Sequence, residues 1–238
     1  QRLFDVDGNP QFVVSRHKYG PRVCGDAFSN ALPSFVDNTI NEIFVHSGRL
    51  GFLSQENVVL SGTDYGTTAQ FFRTTVTQLL DDDRIDLNAS TGDVAKLIYA
   101  APFANTLLLF SERAQYRLVS SGALTPATSL IQQTGAHATS LLARPQRVGK
   151  SVFAAVNDVE RTTVREFRAD IDTDILESNE VTTQVPKFIP SDVHKLAYSA
   201  KKNILVALSH TNTNCLYVYN YYDATNQRLQ SAWSKWLL

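Results

Sequence analysis

Alternating apolar and polar positions run through most of this chain, and the apolar runs are rich in β-branched and aromatic residues. This pattern predicts strands. We expect them at NEIFVH (41–46), RLGFLS (49–54), NVVLS (57–61), AKLIYAA (95–101), TLLLFS (106–111), AQYRLVS (114–120), SVFAAV (151–156), TVREFRA (163–169), KLAYSA (195–200), NILVALS (203–209) and CLYVYNYY (215–222). Short polar turns separate these runs, so a meander of antiparallel hairpins is predicted.

The spacing of the hairpin groups suggests a repeated unit. Their second strands start near Ile43, Leu107, Val152 and Ile204, at spacings of 64, 45 and 52 residues. A four-stranded propeller blade repeats at about 40 to 50 residues. We therefore predict an all-β fold with a β-propeller-like arrangement of small antiparallel sheets. A β-sandwich is the alternative, because it has similar strands at similar intervals.

Two segments depart from the strand pattern. The segment TTAQFFRTTVTQLL (67–80) has no clear capping box and is rich in Thr, so we expect a loop or a short helix there. Residues 1–31 are punctuated by Pro and Gly and contain few strand pairs. We divide the chain into an entering segment, residues 1–31, and a propeller-type β domain, residues 32–238.

Charge and length narrow the classes of function. The 238 residues contain 22 Lys and Arg against 23 Asp and Glu, for a net charge of −1, and the densest basic pair is Lys201-Lys202. Tight non-specific binding of nucleic acid needs clustered Lys and Arg that displace phosphate counterions. Binding of DNA through bulk charge is therefore not expected, and any DNA that passes this protein would do so loosely.

Cysteine content and hydropathy exclude further classes. Cys24 and Cys215 lie far apart without zinc-ligand spacing, so two unpaired thiols are expected. No apolar run approaches the roughly 20 residues of a membrane-spanning helix, and we expect no such segment. The chain starts with Gln1 and contains no Met, so we expect it to be a piece of a longer protein.

A run of aspartates, DDDRIDL (81–87), is the densest cluster of carboxylates in this weakly charged chain. Neighbouring side chains in extended backbone point to opposite sides, so three consecutive carboxylates cannot all face one ion. The run also lacks the Asp-x-Asp-x-Asp-Gly loop and terminal Glu of a calcium site, and it does not supply a distant carboxylate pair. We interpret it as an exposed turn that ends the LL segment and precedes the strand RIDLNAS, with side-chain oxygens bonding local N–H groups.

Two glycine-containing motifs are near matches to binding loops. RPQRVGKS (144–151) contains the Gly-Lys-Ser of a phosphate-binding loop, but Arg144 stands where its first glycine belongs. A tight turn before the strand SVFAAV is the better interpretation. GTDYGTTA (62–69) approaches the Asp box of sialidase-type propellers, but Gly62 replaces the hydroxyl residue and Ala69 the aromatic one. We interpret it as a plain turn.

Other side chains suggest structural roles. The five histidines lack ligand spacing, and no Gly-x-Ser-x-Gly elbow is present, so we expect no metal site, no cofactor and no catalytic residue. Tyr217, Tyr219 and Tyr221 alternate along one strand and would line one face, where packing is a commoner role than stacking on a carbohydrate or a base. Trp233 and Trp236 are expected to pack against the sheets, either as a closing strand or in a subunit contact.

Long ordered segments of the chain resemble a known family. They are LPSFV (32–36), RLGFLSQENVVLS (49–61), DDDRIDL (81–87), KLIYAAPFANTLLLFSERAQYRLVSSGALTP (96–126), VPKFIP (185–190), LSH (208–210) and QSAWSKW (230–236). In this order they are similar to the nozzle proteins, or tail tubular proteins B, of T7-like podoviruses. The similarity covers about Leu32 to Trp236, whereas residues 1–31 match poorly.

The resemblance implies a structural protein of the virion and not an enzyme. It implies a β-propeller with inserted domains, six copies of which form a tapered tube below the ring of tail tubular protein A. The implied partners are tail tubular protein A, the tail fibres, five further copies of the same protein, and genomic DNA that passes through the channel without specific binding. The resemblance assigns no chemistry to the aspartate run.

Two other classes of function stay open at this point. The near match to an Asp box and the tyrosine stripe suggest a glycan-cleaving propeller or a glycan-binding one. An enzyme should bring carboxylates or arginines together in one channel, and a lectin should repeat its site in each blade. The sequence contains neither pattern, so the nozzle hypothesis leads.

Overall fold

The computed structural model describes residues 2–4, 7–12, 16, 19–63, 69–89, 96–103, 106–169, 176–224 and 227–238, and these contain strands, turns and irregular segments but no α-helix. Four antiparallel sheets of four strands each follow one another along the chain. A separate hairpin pairs β1 (Arg2–Phe4) with β2 (Pro10–Phe12). The prediction of an all-β fold built from small antiparallel sheets is confirmed.

Each sheet is a meander whose strands pair in sequence order. Sheet one contains β3 (Ile40–His46), β4 (Arg49–Ser54), β5 (Asn57–Leu60) and β6 (Ile85–Asn88). Sheet two contains β7 (Leu97–Phe103), β8 (Thr106–Ser111), β9 (Gln115–Ser120) and β10 (Ser129–Gly135). Sheet three contains β11 (Gln146–Val148), β12 (Ser151–Asn157), β13 (Thr162–Ala169) and β14 (Leu176–Glu180). Sheet four contains β15 (Val193–Ser199), β16 (Ile204–Ser209), β17 (Cys215–Ala224) and β18 (Gln227–Leu237).

The sheets pack face to face in series. First strands adjoin along the series, β3 against β7, β7 against β11, and β11 against β15. Sheets one and two, two and three, and three and four each share one apolar core. Within the described residues the fourth sheet does not return to the first, so this propeller-like array is not closed into a ring.

The second strands show why their sequences are continuously apolar. In β8, Leu107 and Leu109 belong to the core shared with sheet one, whereas Leu108 and Phe110 belong to the core shared with sheet three. Because successive side chains point to opposite faces and both faces are covered, the four central positions of β8 are all apolar, and its polar residues Thr106 and Ser111 stand at the ends of the strand. The same alternation in β12 places Phe153 on the side of sheet four.

Three of the strands that sequence patterning missed are the fourth strands of their sheets. β10, β14 and β18 read SLIQQTG, LESNE and QRLQSAWSKWL. They are edge strands, each hydrogen-bonded to a single neighbour, and only part of their surface is buried. Their polar composition therefore carries little of the apolar signal on which the prediction depended. The short β11 was missed for a different reason, since its three residues are too few to show a period.

The segment that was expected to be a loop or a short helix is irregular. Residues 69–80 form bends and irregular backbone, with an isolated bridge from Ala69 to Tyr19, while residues 67 and 68 lie outside the described residues. The backbone N–H groups of Thr74 and Leu80 donate to the carboxylate of Asp83 instead of to helical carbonyls. Bonding of this kind offers the backbone an alternative to helix.

Candidate functional site: the cap and the junctions of the sheet array

The outward face of sheet one is covered by irregular chain. Phe52 and Val59 project from this face and pack against Phe35, Ala69 and Phe71. The three phenylalanine rings lie with centroids 5.0, 5.1 and 5.3 Å apart. Such edge-on and tilted aromatic contacts add to the free energy gained from area burial. We name the covering segments, residues 19–38 and 69–83, the cap.

The aspartate run fastens the cap to sheet one. Asp83 accepts hydrogen bonds from the backbone N–H groups of Thr74 and Leu80, each at 3.0 Å. Asp86 in β6 accepts from the backbone N–H of Ser34 at 3.0 Å and from its hydroxyl. Between them, Arg84 donates to the carbonyl oxygens of Ala31 and Phe71, both at 2.8 Å.

The expected turn is therefore present, but its role is larger than the sequence suggested. Asp81 and Asp82 are exposed, and β6 follows the run as predicted. Asp83 was expected to be exposed, yet only 2% of it is accessible. Its buried carboxylate is satisfied by donors nine and three residues away, so its burial is compatible with charge.

Arg49 is the largest fully buried side chain of the described residues. Its guanidinium donates to the carbonyl oxygens of Ser61 at 2.8 Å, of Asp83 at 2.6 Å, of Asp81 at 2.6 Å and of Leu124 at 3.3 Å. Burial lowers the pKa of Arg49, and the nearby carboxylates of Asp82 and Asp83 oppose that change. One side chain thus joins sheet one, the cap and the loop after β9.

A cavity of about 400 Å³ lies beside Arg49. Its walls include His46, Thr63 and Ser120 from the ends of sheets one and two. Burial lowers the pKa of His46, which favours the neutral imidazole. Since both terminal nitrogens of Arg49 are engaged by carbonyl oxygens, they are not available as anion-binding donors.

A buried carboxylate connects three sheets near their first strands. Glu42 in β3 accepts a hydrogen bond from the backbone N–H of Ala100 in β7 and pairs with Arg144, which precedes β11. Burial raises the pKa of Glu42, while the Ala100 N–H and the Arg144 guanidinium act in the opposite direction. Beside it, Asn41 donates to the carbonyl oxygen of Leu97 at 2.7 Å.

Polar side chains cross the other junctions as well. The hydroxyl of Tyr99 in β7 donates to the carbonyl oxygen of Leu141, in the linker to sheet three, at 2.7 Å. Between sheets three and four, Asn157 donates to the carbonyl oxygen of Val193 at 2.9 Å. The indole N–H of Trp233 donates to the carbonyl oxygen of Val181, also at 2.9 Å. Each junction therefore combines an apolar core with directed hydrogen bonds.

An ion cluster reinforces the junction of sheets three and four. Arg228 in β18 contacts Glu166 in β13 at 2.9 Å and Asp223 in β17 at 2.5 Å, and Arg168 reaches the same Asp223 at 2.6 Å. Burial lowers the pKa of Arg228, but its hydrogen bonds to Asp223 and Glu166 outweigh this effect, so the pKa is raised. The guanidinium also lies 4.7 Å from the ring centroid of Tyr221, a distance typical of cation–π contacts.

The tyrosine stripe packs inside the protein. Tyr217 and Tyr219 are 2% and 0% exposed and belong to the core between sheets three and four, and Tyr221 and Trp233 pack against that core. The packing interpretation is confirmed, and these rings offer no open platform for a sugar. Trp236 lies on the other face of sheet four and is 48% exposed.

Two histidines that sequence spacing had not connected are neighbours. The rings of His194 and His210 stack with centroids 3.9 Å apart. Both lie at the open end of the β15–β16 hairpin, where the antiparallel pairing of Val193 with Ser209 brings them together. No spacing rule for ligands would have detected this pair, because the signal lies in strand register. The described residues contain no group of three or more His, Cys, Asp or Glu side chains that could hold a metal ion.

The remaining motifs have plain structural outcomes. Gly149, with φ +60°, and Lys150 form the turn between β11 and β12, so the tight-turn interpretation of Gly-Lys-Ser is confirmed. Most of the near match to an Asp box, residues 64–68, lies outside the described residues. Cys24 and Cys215 are both free, as expected. Within its described part, the chain contains no helix with the length and apolar character of a bilayer span.

Comparison with known proteins identifies relatives of this array. A family model described as bacteriophage nozzle protein matches residues 5–238. Tail tubular protein gp12 of Escherichia phage T7 is 34% identical over 232 residues, which cover 97% of this chain and 29% of that protein. The chain thus spans less than a third of the length of this relative.

A solved structure supports the fold. A 6-phosphogluconolactonase candidate from Bacteroides uniformis superposes with a TM-score of 0.55 at 11% identity, covering 100% of this chain and 64% of the other. At this identity the likeness concerns the fold alone and says nothing about activity.

Proposed function

We propose a role that starts from one premise: the chain belongs to the bacteriophage nozzle protein family. It is therefore part of a structural protein of the phage tail, a virion component and not an enzyme. The proposal concerns the finer role. We infer that the array of sheets is the propeller-type platform of a nozzle below tail tubular protein A, in a phage of the T7-like podovirus group. The 34% identity to the T7 protein is the observation that carries this assignment.

The structure suits a passive building block. The described sheets are joined by apolar cores and by buried polar side chains such as Glu42 and Arg228, and a cap covers one end. Interdigitated cores of this kind resist shear between neighbouring sheets because close-packed interiors have low compressibility. A tail channel that must withstand DNA passage needs such rigidity.

The proposal includes the partners that a nozzle requires. Six copies would form a closed ring through a head-to-tail interface, in which one face of each copy fits a different face of its neighbour. Tail tubular protein A would bind above this ring, tail fibres would bind outside it, and genomic DNA would pass through the channel without specific binding. The net charge of −1 supports loose passage, because it provides no general attraction for phosphates.

The division of the chain is also part of the proposal. Residues 1–31 would lead into the propeller-type domain of residues 32–238. Gly20 donates through its backbone to Ala69, and Asn30 exchanges hydrogen bonds with Arg73. The end of the entering segment is thus fastened to the second segment of the cap, residues 69–83, which fits a segment that fixes where the domain begins.

Electron microscopy of the full-length protein tests the role. Negative-stain images of the protein mixed with tail tubular protein A should contain six-fold rings stacked on the rings of tail tubular protein A. Images of each protein alone provide the control for rings that form independently. A mixture in which the full-length protein stays monomeric would contradict the proposal, and cleavage of glycans by that protein would favour the enzyme class instead.

A further inference from the structure

The cavity beside Arg49 has a buried floor and an open rim. Arg49 and Leu118 line it and are each 1% exposed, so they form the floor. The exposed lining residues form the rim, and they are Ser47, Thr63, Gly122 and Ala123. The volume of about 400 Å³ is near the lower end of the range of small-molecule sites. The cavity therefore suits a ligand of about one ring in size.

The loop after β9 forms one wall of this cavity and is held in place by side chains. Three successive carbonyl oxygens of the loop accept hydrogen bonds, and they belong to Gly122, Ala123 and Leu124. In that order the donors are the hydroxyl of Ser120 at 3.0 Å, the hydroxyl of Thr128 at 2.7 Å and the guanidinium of Arg49 at 3.3 Å. A wall fixed at three successive residues is already formed before a ligand arrives, which reduces the entropy lost on binding.

Three polar side chains at the cavity have hydrogen-bonding capacity to spare. The side chains of His46, Ser47 and Thr63 line it and form no hydrogen bond with another described residue. Burial lowers the pKa of His46 and so favours the neutral imidazole, which has one donor nitrogen and one acceptor nitrogen. A hydroxyl group also both donates and accepts. The three side chains therefore match a ligand whose own groups can act in both ways.

The remaining lining narrows the chemistry of the ligand further. Both terminal nitrogens of Arg49 donate to carbonyl oxygens, and the carboxylates of Asp82 and Asp83 lie close enough to offset its charge. An ionic ligand would therefore find no free counter-charge here. Leu118 and Leu124 add an apolar surface. A purely apolar ligand would fit that surface, but it would leave the polar side chains desolvated and unpaired. The lining thus favours a neutral ligand that has both hydroxyl groups and an apolar face.

We propose that this cavity binds one neutral pyranose ring of a saccharide. The ring hydroxyls exchange hydrogen bonds with His46, Ser47 and Thr63, and the C–H face of the ring lies against Leu118 and Leu124. A pyranose combines these two kinds of surface in one rigid ring, so little conformational entropy is lost on binding. The open rim allows the ring to belong to a longer saccharide chain. The inference does not depend on the nozzle role, since it concerns binding to a single copy of the protein and involves no catalysis.

Saturation-transfer NMR on the full-length protein tests this site with the methyl glycosides of glucose, galactose, mannose and N-acetylglucosamine. We expect at least one of them to bind with a dissociation constant below about 10 mM, as suits a ligand of this size. Ala123→Phe places a ring at the exposed rim and should weaken binding at least about 10-fold. Ala200→Phe makes the same change in the exposed turn between β15 and β16, and binding should not change. Near-ultraviolet circular dichroism confirms that both variants are folded.

A second variant removes a hydrogen-bonding group instead of filling the cavity. Thr63→Val keeps the shape of the side chain but loses the hydroxyl, and it should weaken binding by about 3-fold to 10-fold. Thr213→Val, in the exposed β16–β17 turn, is the matched control. This pair answers the question even if Ala123→Phe does not fold.

Three results would overturn the proposal. They are a dissociation constant above about 50 mM for every glycoside, binding that the rim and hydroxyl variants leave unchanged, and displacement of the bound glycoside by inorganic phosphate, which would indicate an anion site. None of these results depends on whether the protein forms rings with tail tubular protein A, so failure of this inference is distinguishable from failure of the nozzle role.

Discussion

The outward faces of sheet one and sheet four differ in how completely other parts of the chain cover them. On sheet one, Phe52 and Val59 are 4% and 0% exposed beneath the cap. On sheet four, Val206, Leu208 and Leu216 stay partly exposed, and Trp236 is 48% exposed. The two faces belong to the same kind of four-stranded meander, so the difference comes from what covers them and not from the sheets themselves.

The two end sheets of the array are therefore not equivalent. Arrays of repeated units need a distinct covering unit at a terminus, because each unit buries its apolar face against a neighbour. The cap supplies that covering for sheet one from irregular chain held by Asp83, Arg84 and Asp86. Sheet one is covered by the cap, whereas Val206, Leu208, Leu216 and Trp236 on the outward face of sheet four stay partly exposed.

Removal of an aromatic ring from the cap should have the largest effect on this contrast. Phe71→Ala empties a buried site between Phe35 and Phe52 and should lower the free energy of unfolding by about 3 to 5 kcal/mol. Leu216→Ala, on the face of sheet four opposite to its core with sheet three, is the matched control, and it should cost about 1 kcal/mol because the side chain is already partly solvated. Urea denaturation followed by circular dichroism measures both, and equal losses would remove the distinction between a capped face and an open one.

Substitution of Arg49 tests whether attachment of the cap depends on directed hydrogen bonds as well as on apolar contact. Arg49→Met keeps much of the volume but leaves the buried carbonyl oxygens of Ser61 and Asp83 without their donor, and should cost about 3 kcal/mol. The exposed Arg147→Met provides the control and should change stability by less than about 0.5 kcal/mol. Thermal unfolding of both variants distinguishes the cases, and an Arg49→Met protein as stable as the native chain would show that the cap does not depend on the hydrogen bonds of Arg49.

Single substitutions at the junctions between sheets should lower the free energy of unfolding less than substitutions in the cap, since each junction contains several contacts. Tyr99→Phe removes the hydrogen bond to the carbonyl oxygen of Leu141 and should cost about 1 kcal/mol. Lys195 follows a bulge in β15 as Tyr99 follows one in β7. Its side chain is exposed, so Lys195→Ala should be neutral within about 0.5 kcal/mol. Urea denaturation measures both variants.

These residues also mark how far the sequence could predict the structure. Continuous apolar runs such as TLLLFS identified the second strands, because burial on both faces excludes polar residues there. The peripheral strands were missed, since β14 reads LESNE and carries no apolar period. Local patterning detects the buried central strands of a sheet, but it does not detect the polar strands at the edge.

The cap and the junctions could not be inferred in the same way. Asp86 binds Ser34, 52 residues away, and Glu42 binds Arg144, 102 residues away. No short-range spacing encodes such pairs, because loop paths between the sheets bring them together. The aspartate run was detected as unusual from composition, but its function as the fastening of the cap needed the positions of Thr74 and Ser34.

The smallest expected effect concerns Glu42, at the junction of sheets one and two, and the pH dependence of the protein's stability. Because burial raises the pKa of Glu42 above its ordinary value of 4.5, folding favours the protonated carboxyl. The stability that this protonation contributes is fully present below pH 4.5 and is lost as the pH rises through the higher folded pKa. Glu42→Gln should therefore stabilise the protein relative to the native chain increasingly as the pH rises above 4.5 and through the raised folded pKa, as measured by urea denaturation across that range. The exposed pair Glu160 and Lys187 supplies the control, since Glu160→Gln should leave the pH dependence nearly unchanged. A constant difference between Glu42→Gln and the native chain across this range would mean that the Ala100 N–H and Arg144 fully compensate the burial of the charge.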